Sequence, residues 1–296
     1  MRQSGERLEI RSGVKELDEL TKGGLPTKFP TCIFSVPNLG KSFLAVQYAM
    51  HLSRQGIGSL YIDTEGFLSE KVWQKFCNIF QRRWSDVRPD LIKIIPLRNV
   101  FRLYRFFGIQ VSLEYSKART TVIIKFPKTK RKVETSTRDE AWYEYSQAYK
   151  TITNDNIGLL VLDSLSAPIK LAVGSATQNL PARADLQRTL LDAIITISDY
   201  CDIASLIITH ISKSPTVPQD LGRPYGGQEI GYFLKHILLL KRPKKEWFDR
   251  YSSIKNELRE IRRIRWGIEP ETFCVVRLKH DWGYDSLDTT RKIEFL

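Results

Sequence analysis

Short apolar runs rich in β-branched residues alternate along this chain with longer segments of helical periodicity. The apolar runs predict strands at 31–34, 59–62, 92–95, 158–162, 203–208, 236–240 and 273–278. The periodic segments predict helices at 42–54, 69–82 and 182–199. This alternation predicts an α/β fold, a mainly parallel sheet with helices on both faces.

Two segments interrupt the alternation. Residues 111–132 alternate in polarity and end in the basic sequence FPKTKRK, which predicts a β-hairpin inserted into the fold. Residues 244–265 carry charged residues at helical spacing around Trp247, Phe248 and Ile254, which predicts an exposed amphipathic helix. We therefore predict one domain over residues 1–296, with an insertion at about 111–140 and a basic helical segment at about 244–265.

The formal net charge of +13 is concentrated in these two regions. Residues 111–138 contain eight basic and two acidic residues, and residues 235–265 contain eleven basic and four acidic residues. The rest of the chain is close to neutral, so the positive field is local. Localised positive charge is typical of a surface that binds a polyanion. A Lys/Arg-rich solubilising surface is the alternative.

The composition is that of a soluble globular protein, with 296 residues of which 42% are hydrophobic. No run of 18 uncharged apolar residues occurs and the N-terminus lacks the apolar region of a signal peptide, so we expect a cytoplasmic protein without membrane contact. The cysteines are widely spaced among apolar neighbours, which favours buried thiols over metal ligands or disulfides. They are Cys32, Cys77, Cys201 and Cys274.

The sequence SVPNLGKS at 35–42 matches the phosphate-binding motif G-x-x-x-x-G-K-[ST], except that serine replaces the first glycine. It lies between a predicted strand and a predicted helix, as the motif requires. Lys41 would reach the β- and γ-phosphates, and the Ser42 hydroxyl would bind Mg²⁺. A structural strand–turn–helix with a chance lysine is the alternative. The candidate nucleotide-binding residues are Ser35, Val36, Pro37, Asn38, Leu39, Gly40, Lys41 and Ser42, with Asp163 from a later strand.

The replacement of the first glycine of the motif by Ser35 bears directly on activity. Ser35 costs little where its φ is negative, but would be strained by roughly 1 kcal/mol or more in a left-handed conformation. Pro37 removes one backbone N–H, although the donors nearest the phosphates come from residues 39–42. We expect nucleotide binding to survive and turnover to be slow.

Three further predicted strands end in polar residues, at Glu65, Asp163 and Thr209-His210. The carboxyl ends of parallel strands meet at one edge of a sheet, where ligands bind. Glu65 could orient or deprotonate a water for attack on the γ-phosphate, and Asp163 could hold Mg²⁺ through its water shell. A helix-terminal carboxylate and a structural histidine are the alternatives for Glu65 and His210.

Together these motifs resemble a RecA/RadA-type recombinase core, a P-loop ATPase of the archaeal and eukaryotic branch, most like archaeal RadA paralogues of the RadB and RadC kind. The resemblance covers roughly residues 8–100 and 155–296. It implies ATP and Mg²⁺ as cofactors, Glu65 as the catalytic glutamate and His210 as the γ-phosphate sensor beside Lys41. It is carried by RSGVKELDEL at 11–20 with Gly23-Gly24-Leu25, YIDTEG at 61–66, LLVLDSLSAP at 159–168 and RPYGGQEIGYFLKH at 223–236.

Departures from the family pattern bear on assembly and on DNA binding. A helix-hairpin-helix domain and a Phe-x-x-Ala motif do not precede the core, and residues 279–286 lack the family's proline-containing cap, so we expect a monomer or small oligomer rather than a long filament. The first DNA-binding loop, at 173–179, has lost its arginine, so the contacts would move outward. The candidate DNA-binding residues are Lys213, Arg223, Lys125, Lys128, Lys130, Arg131, Lys132, Lys244 and Lys245, with Phe126, Trp247, Phe248 and Tyr251 available for stacking unless they are core residues.

The resemblance favours an ATP-dependent DNA-binding protein that assists homologous recombination and repair near the nucleoid. Its ATPase would be weak and stimulated by single-stranded DNA, with double-stranded DNA and a RadA-type recombinase as further candidate partners. The alternative is an ATP-binding regulator that docks on a recombinase without needing hydrolysis. A KaiC-like ATPase or a kinase fits the phosphate-binding loop, but not the DTEG and Gly-Gly segments together.

Overall fold

A computed structural model describes residues 10–21, 23–116, 119–126, 142–174, 176–212, 223–225, 233–234, 236–241, 274–280 and 283–284. Within these ranges the helices are α1 (Lys15–Leu20), α2 (Lys41–Ser53), α3 (Glu70–Arg83), α4 (Val100–Phe106), α5 (Gln147–Asn154), α6 (Ser166–Val173) and α7 (Leu180–Cys201). The strands are β1 (Pro30–Ser35), β2 (Gly58–Asp63), β3 (Ile92–Pro96), β4 (Gln110–Tyr115), β5 (Thr120–Lys125), β6 (Ile157–Asp163), β7 (Ala204–Ser212), β8 (Arg223–Pro224), β9 (His236–Lys241), β10 (Cys274–His280) and β11 (Gly283–Tyr284).

The main sheet has the strand order β11-β10-β9-β1-β7-β6-β2-β3, with β8 paired to the end of β7. Six neighbouring strands, from β9 to β3, are parallel, whereas β10 pairs antiparallel with β9. The predicted mainly parallel sheet is confirmed. Each of the predicted strands, and each of the helices predicted at 42–54, 69–82 and 182–199, overlaps an observed one. The central strands are buried along their whole length because helices cover both faces.

The sheet separates two hydrophobic cores, and alternation along β1 shows the division. Cys32 and Phe34 point into the first core, on the side covered by α4, α5, α6 and α7. Ile33 points into the second core, on the side covered by α1, α2 and α3. On the second side Phe43 and Phe80 pack with ring centroids 5.1 Å apart, which joins α2 to α3. This packing anchors the start of α2, the helix that follows the phosphate-binding loop.

Strands β4 and β5 form the predicted hairpin as a separate two-stranded sheet. One of its faces packs on the first core through Val111, Leu113, Val122, Ile124 and Phe126. Phe126 follows the core alternative that the sequence left open, because its ring packs edge-on against buried Trp142, with the ring centroids 5.3 Å apart. The alternation predicted the strands, but the basic tract that follows, at 127–141, lies outside the described residues.

Three further predictions concern the cysteines, the helix at 244–265 and membrane-spanning segments. Cys32 and Cys77 are buried free thiols, whereas Cys201 is only half-buried. The predicted helix at 244–265, with Trp247, Phe248 and Tyr251, lies outside the described residues. No helix in the described ranges combines the length and apolarity needed to cross a membrane.

Candidate active site

The phosphate-binding loop joins β1 directly to α2. Ser35 is the last residue of β1, in extended conformation, so the substitution causes no left-handed strain. The left-handed positions are Asn38 (φ 62°) and Gly40 (φ 84°), and asparagine tolerates that region better than other non-glycine residues. Buried Leu39 anchors the loop in the second core. The loop therefore keeps its backbone geometry without the first glycine.

Lys41 folds back over this loop instead of extending into solvent. Its Nζ donates to the Ser35 carbonyl at 3.3 Å, the Ser35 hydroxyl at 2.9 Å and the Val36 carbonyl at 3.0 Å. Burial lowers the pKa of Lys41, and the nearby carboxylates Asp163 and Glu65 partly oppose that shift. As the first residue of α2, Lys41 stands at a helix N-terminus, where free backbone N–H groups favour an anion.

Buried Asp163 and Tyr61 form a group with half-buried Ser42 beside the loop. The Tyr61 hydroxyl donates to Asp163 Oδ2 at 2.6 Å, and the Ser42 hydroxyl hydrogen-bonds the same carboxylate. Burial raises the pKa of Asp163 to about 6, although both hydrogen bonds lower it. The two predicted metal-site residues are therefore together. Tyr61 was missed from the sequence, and the signal available was a polar-tipped aromatic inside an apolar strand just before DTEG.

Glu65 is held in place by two neighbours from adjacent strand ends. Its Oε1 accepts from Ser164 Oγ at 2.5 Å and lies 3.0 Å from His210 Nε2. The hydrogen bond from His210 is the main cause that lowers the pKa of Glu65, against the effect of burial. About a third of the Glu65 side chain stays exposed (35%), so a water could reach it. His210 therefore joins the site through Glu65.

Asp63 shapes the turn that carries Glu65. Its Oδ1 accepts from the backbone N–H groups of Glu65 (3.1 Å), Gly66 (2.6 Å) and Phe67 (3.2 Å), and its Oδ2 accepts from Leu68 N (2.9 Å). Gly66 has φ 72°, as such a turn requires. Sequence reasoning missed this role, which the spacing of Asp and Gly in DTEG could have indicated.

Register places all four strand ends at one edge of the sheet. Ser35 of β1 pairs with His210 of β7, and Asp63 of β2 pairs with Asp163 of β6. The predicted convergence is confirmed. Residues from four neighbouring strands therefore surround the N-terminus of α2.

Comparisons with known proteins find similarity to archaeal DNA repair and recombination proteins. The chain is 20% identical over 234 residues to DNA repair and recombination protein RadB of Methanococcoides burtonii, which covers 79% of this chain and 83% of the relative. It is 24% identical over 245 residues to DNA repair and recombination protein RadA of Methanoculleus marisnigri, covering 80% of this chain and 66% of that one. A crystal structure of the RadB recombinase superposes with a TM-score of 0.56 at 18% identity, covering 92% of this chain and 90% of that chain. No family model matches the chain.

The chain is RadB-like in sequence, and its core has the RecA-like fold of the RadB recombinase. The resemblance inferred from the sequence motifs is thereby confirmed, together with the RecA-like fold. Only about two thirds of the RadA relative's length is spanned by the match.

In this RadB-like core the paired ends of β4 and β5 contact the last turn of α6 and the first DNA-binding loop, residues 173–179. Thr120 N donates to Asn179 Oδ1 at 3.1 Å, and the Tyr115 hydroxyl donates to the Ala172 carbonyl at 3.1 Å. Arg119, next to Thr120, is exposed. Arg119 is therefore one residue away from a backbone contact with the loop that lacks an arginine, a position that sequence reasoning did not anticipate.

Two more cations border that loop and contact one tyrosine. Arg183 Nη1 donates to the Tyr225 hydroxyl at 2.9 Å, and Lys170 Nζ lies 4.0 Å from the Tyr225 ring centroid. Arg183 Nη2 also donates to the Ala176 carbonyl at 3.0 Å. Tyr225 N in turn donates to the His210 carbonyl at 2.7 Å, which connects this cluster to the active-site strand. Sequence reasoning missed all three side chains.

The predicted DNA-binding residues are only partly described. Lys125 is exposed and pairs with Gln110 at the root of the hairpin, about 17 Å along β5 from Thr120 at the usual rise per residue. Arg223 lies in β8, where its backbone pairs with Ser212. Outside the described residues are Lys213, Lys128, Lys130, Arg131, Lys132, Lys244 and Lys245.

Acidification is expected to weaken magnesium-dependent nucleotide binding as the pH falls through about 6, the pKa of Asp163. Above that pH Asp163 is ionised and suits Mg²⁺, and below it the protonated carboxyl binds a cation poorly. Tyr61→Phe removes a hydrogen bond that stabilises the carboxylate, so the midpoint should rise by about half to one pH unit.

Titration of a fluorescent ATP analogue at fixed Mg²⁺ over about pH 5 to 8 measures this midpoint. Tyr104→Phe is the matched control, because it removes a buried hydroxyl that donates to the Leu186 carbonyl on the other side of the sheet. It should leave the midpoint unchanged. An equal midpoint in wild type and Tyr61→Phe would contradict the assigned role of Asp163.

Proposed function

We propose that this protein is an ATP-dependent DNA-binding recombinase paralogue that assists homologous recombination and DNA repair. Its ATPase is weak and is stimulated by single-stranded DNA. One observation carries the proposal: Lys41 and Ser42 at the start of α2 lie beside the ends of four adjacent parallel strands, which bring Glu65, Asp163 and His210 together. The names of the RadB and RadA relatives support the role in recombination and repair.

The residues present fit ATP and Mg²⁺. The N-terminus of α2 and the Lys41 ammonium provide donors and positive charge for the phosphates. The Ser42 hydroxyl and the Asp163 carboxylate are the oxygen groups beside them, and hard divalent cations prefer oxygen ligands. When bound, Mg²⁺ would neutralise charge that develops on the phosphate oxygens.

Glu65 is the residue proposed to act on the attacking water. Ser164 and His210 fix one of its oxygens, which leaves Oε2 to orient the water and accept its proton. A general base works best when its pKa is near the working pH. The lowered pKa of Glu65 makes it a weaker base, which supports slow turnover.

DNA binding is supported by the surface around the paired ends of β4 and β5 and the first DNA-binding loop at 173–179. Tyr115, Leu171 and Leu180 are exposed there, at 66%, 79% and 53%. Lys170 precedes Leu171 in the sequence and Arg119 follows Tyr115 by four residues, and both supply positive charge. Exposed apolar side chains between cations suit single strands, whose bases stack and whose phosphates need neutralising.

Reversing charge at Arg119 is the experiment that tests this surface. Arg119→Glu should weaken binding to a labelled single strand several-fold and should reduce the slope of log affinity against log salt by about 1. Fluorescence anisotropy at several salt concentrations measures both quantities. Lys75→Glu is the matched control, because it makes the same charge change at an exposed position of α3. This helix covers the other face of the sheet. Equal losses in the two variants would show a non-specific charge effect and contradict the proposal.

A further inference from the structure

Ser35 gives Lys41 a contact that glycine cannot supply. Both side chains are buried, with Lys41 only 6% exposed and Ser35 fully covered. The Ser35 hydroxyl donates its own proton to the Val36 carbonyl at 2.7 Å. Its lone pairs are then directed to Lys41 Nζ, 2.9 Å away, so the serine oxygen acts as an acceptor for the ammonium.

The ammonium has three N–H donors and no acceptor. Three oxygens of the loop surround it, two backbone carbonyls and the Ser35 hydroxyl, at 2.9 to 3.3 Å. With glycine at position 35 the two carbonyls would remain and the hydroxyl would be missing. One donor of Lys41 would then be available to a phosphate oxygen without breaking a contact within the loop.

We infer that the Ser35 hydroxyl competes with the nucleotide phosphates for Lys41 and thereby weakens nucleotide binding. The inference rests on the proposed function, since it concerns the same site. Ser35 acts through Lys41 and is a positioning residue. When the nucleotide binds, Lys41 exchanges its contact with the hydroxyl for a contact with a phosphate. Part of the binding free energy that Lys41 contributes is therefore lost.

Removing the hydroxyl should tighten nucleotide binding. Ser35→Ala and Ser35→Gly are each expected to bind a fluorescent ATP analogue with Mg²⁺ about tenfold more tightly than wild type, as loss of one competing charge-assisted hydrogen bond predicts. The same titration is made on Ser59→Ala, the matched control, because Ser59 is a buried serine at the opposite end of a central strand. Ser59→Ala should keep the wild-type affinity.

Dependence on Lys41 separates competition from a change in packing. In Lys41→Met the affinity should fall, and adding Ser35→Ala to Lys41→Met should bring no gain, because the ammonium is no longer there to be released. A gain of the same size with and without Lys41 would overturn the inference, as would weaker binding by Ser35→Ala, which would mean that the hydroxyl itself contacts the phosphates.

The inference and the proposed function fail in different ways. If Lys41→Met weakens binding but neither Ser35 variant changes it, the inference is wrong and the proposed site stands. If neither wild type nor the Ser35 variants bind the nucleotide while all keep their circular dichroism and thermal midpoint, the proposed function is wrong and the inference falls with it.

Discussion

Glu65→Gln is expected to reduce ATP hydrolysis by about 100-fold or more, the usual contribution of a positioned general base. Glutamine has nearly the same shape, and its amide oxygen can still accept from Ser164 Oγ. It cannot take a proton from water. Nucleotide binding should therefore stay within a few-fold of wild type while turnover is lost.

Single-turnover phosphate release, measured with and without single-stranded DNA, separates this effect from binding. Glu70→Gln is the control, because Glu70 is an exposed carboxylate at the start of α3, five residues from Glu65. It should hydrolyse ATP like wild type. If wild type binds ATP but hydrolyses no more than Glu65→Gln, the protein is the ATP-binding regulator that the sequence left as an alternative.

The strands and their converging ends could be predicted because their signal is local. A run such as 159–162 is apolar at every position, which is typical of a strand buried on both faces, and the polar residue that ends it marks the ligand edge. Glu65, Asp163 and His210 were found by this reasoning. The phosphate-binding motif supplied the rest of the candidate site.

Residues that act through long-range contacts could not be predicted in this way. Tyr61 reaches Asp163 across 102 positions of sequence, and Arg183 reaches Tyr225 across 42. Their roles follow from strand order and from how α7 packs, neither of which a single-sequence pattern contains. The conformation of Ser35 is a similar case, since the motif alone did not say which positions of this loop are left-handed.

The β4–β5 hairpin also shows that sequence patterns predict local structure but not long-range contacts. Alternation at 120–124 identified its strands, and charge suggested a polyanion surface. The position of this end of the hairpin depends on contacts of Tyr115 with the last turn of α6 and of Thr120 with the α6–α7 connection. In the described part of the hairpin Arg119 therefore lies at the end that makes these contacts, whereas Lys125 lies at the other end.

Asp63→Asn is expected to destabilise the protein by about 2 to 4 kcal/mol, a large effect for one atom exchanged. The buried carboxylate accepts from four successive backbone N–H groups that have few other partners in this turn. An amide group would place an N–H against one of those donors, and the remaining bonds would lose the strength that the charge provides. Because the turn carries Glu65, the rate of ATP hydrolysis should fall together with stability.

Urea unfolding monitored by tryptophan fluorescence gives the free energy of unfolding, and the steady-state rate is measured well below the unfolding transition. Asp155→Asn is the matched control, since Asp155 is an exposed carboxylate paired with Lys93 at 2.7 Å and such pairs contribute about 0 to 1 kcal/mol. Equal destabilisation in the two variants would contradict the role of Asp63. A fall in the hydrolysis rate of folded Asp63→Asn, with nucleotide affinity retained, would link the turn to the position of the Glu65 carboxylate, because only hydrolysis depends on where that group is held.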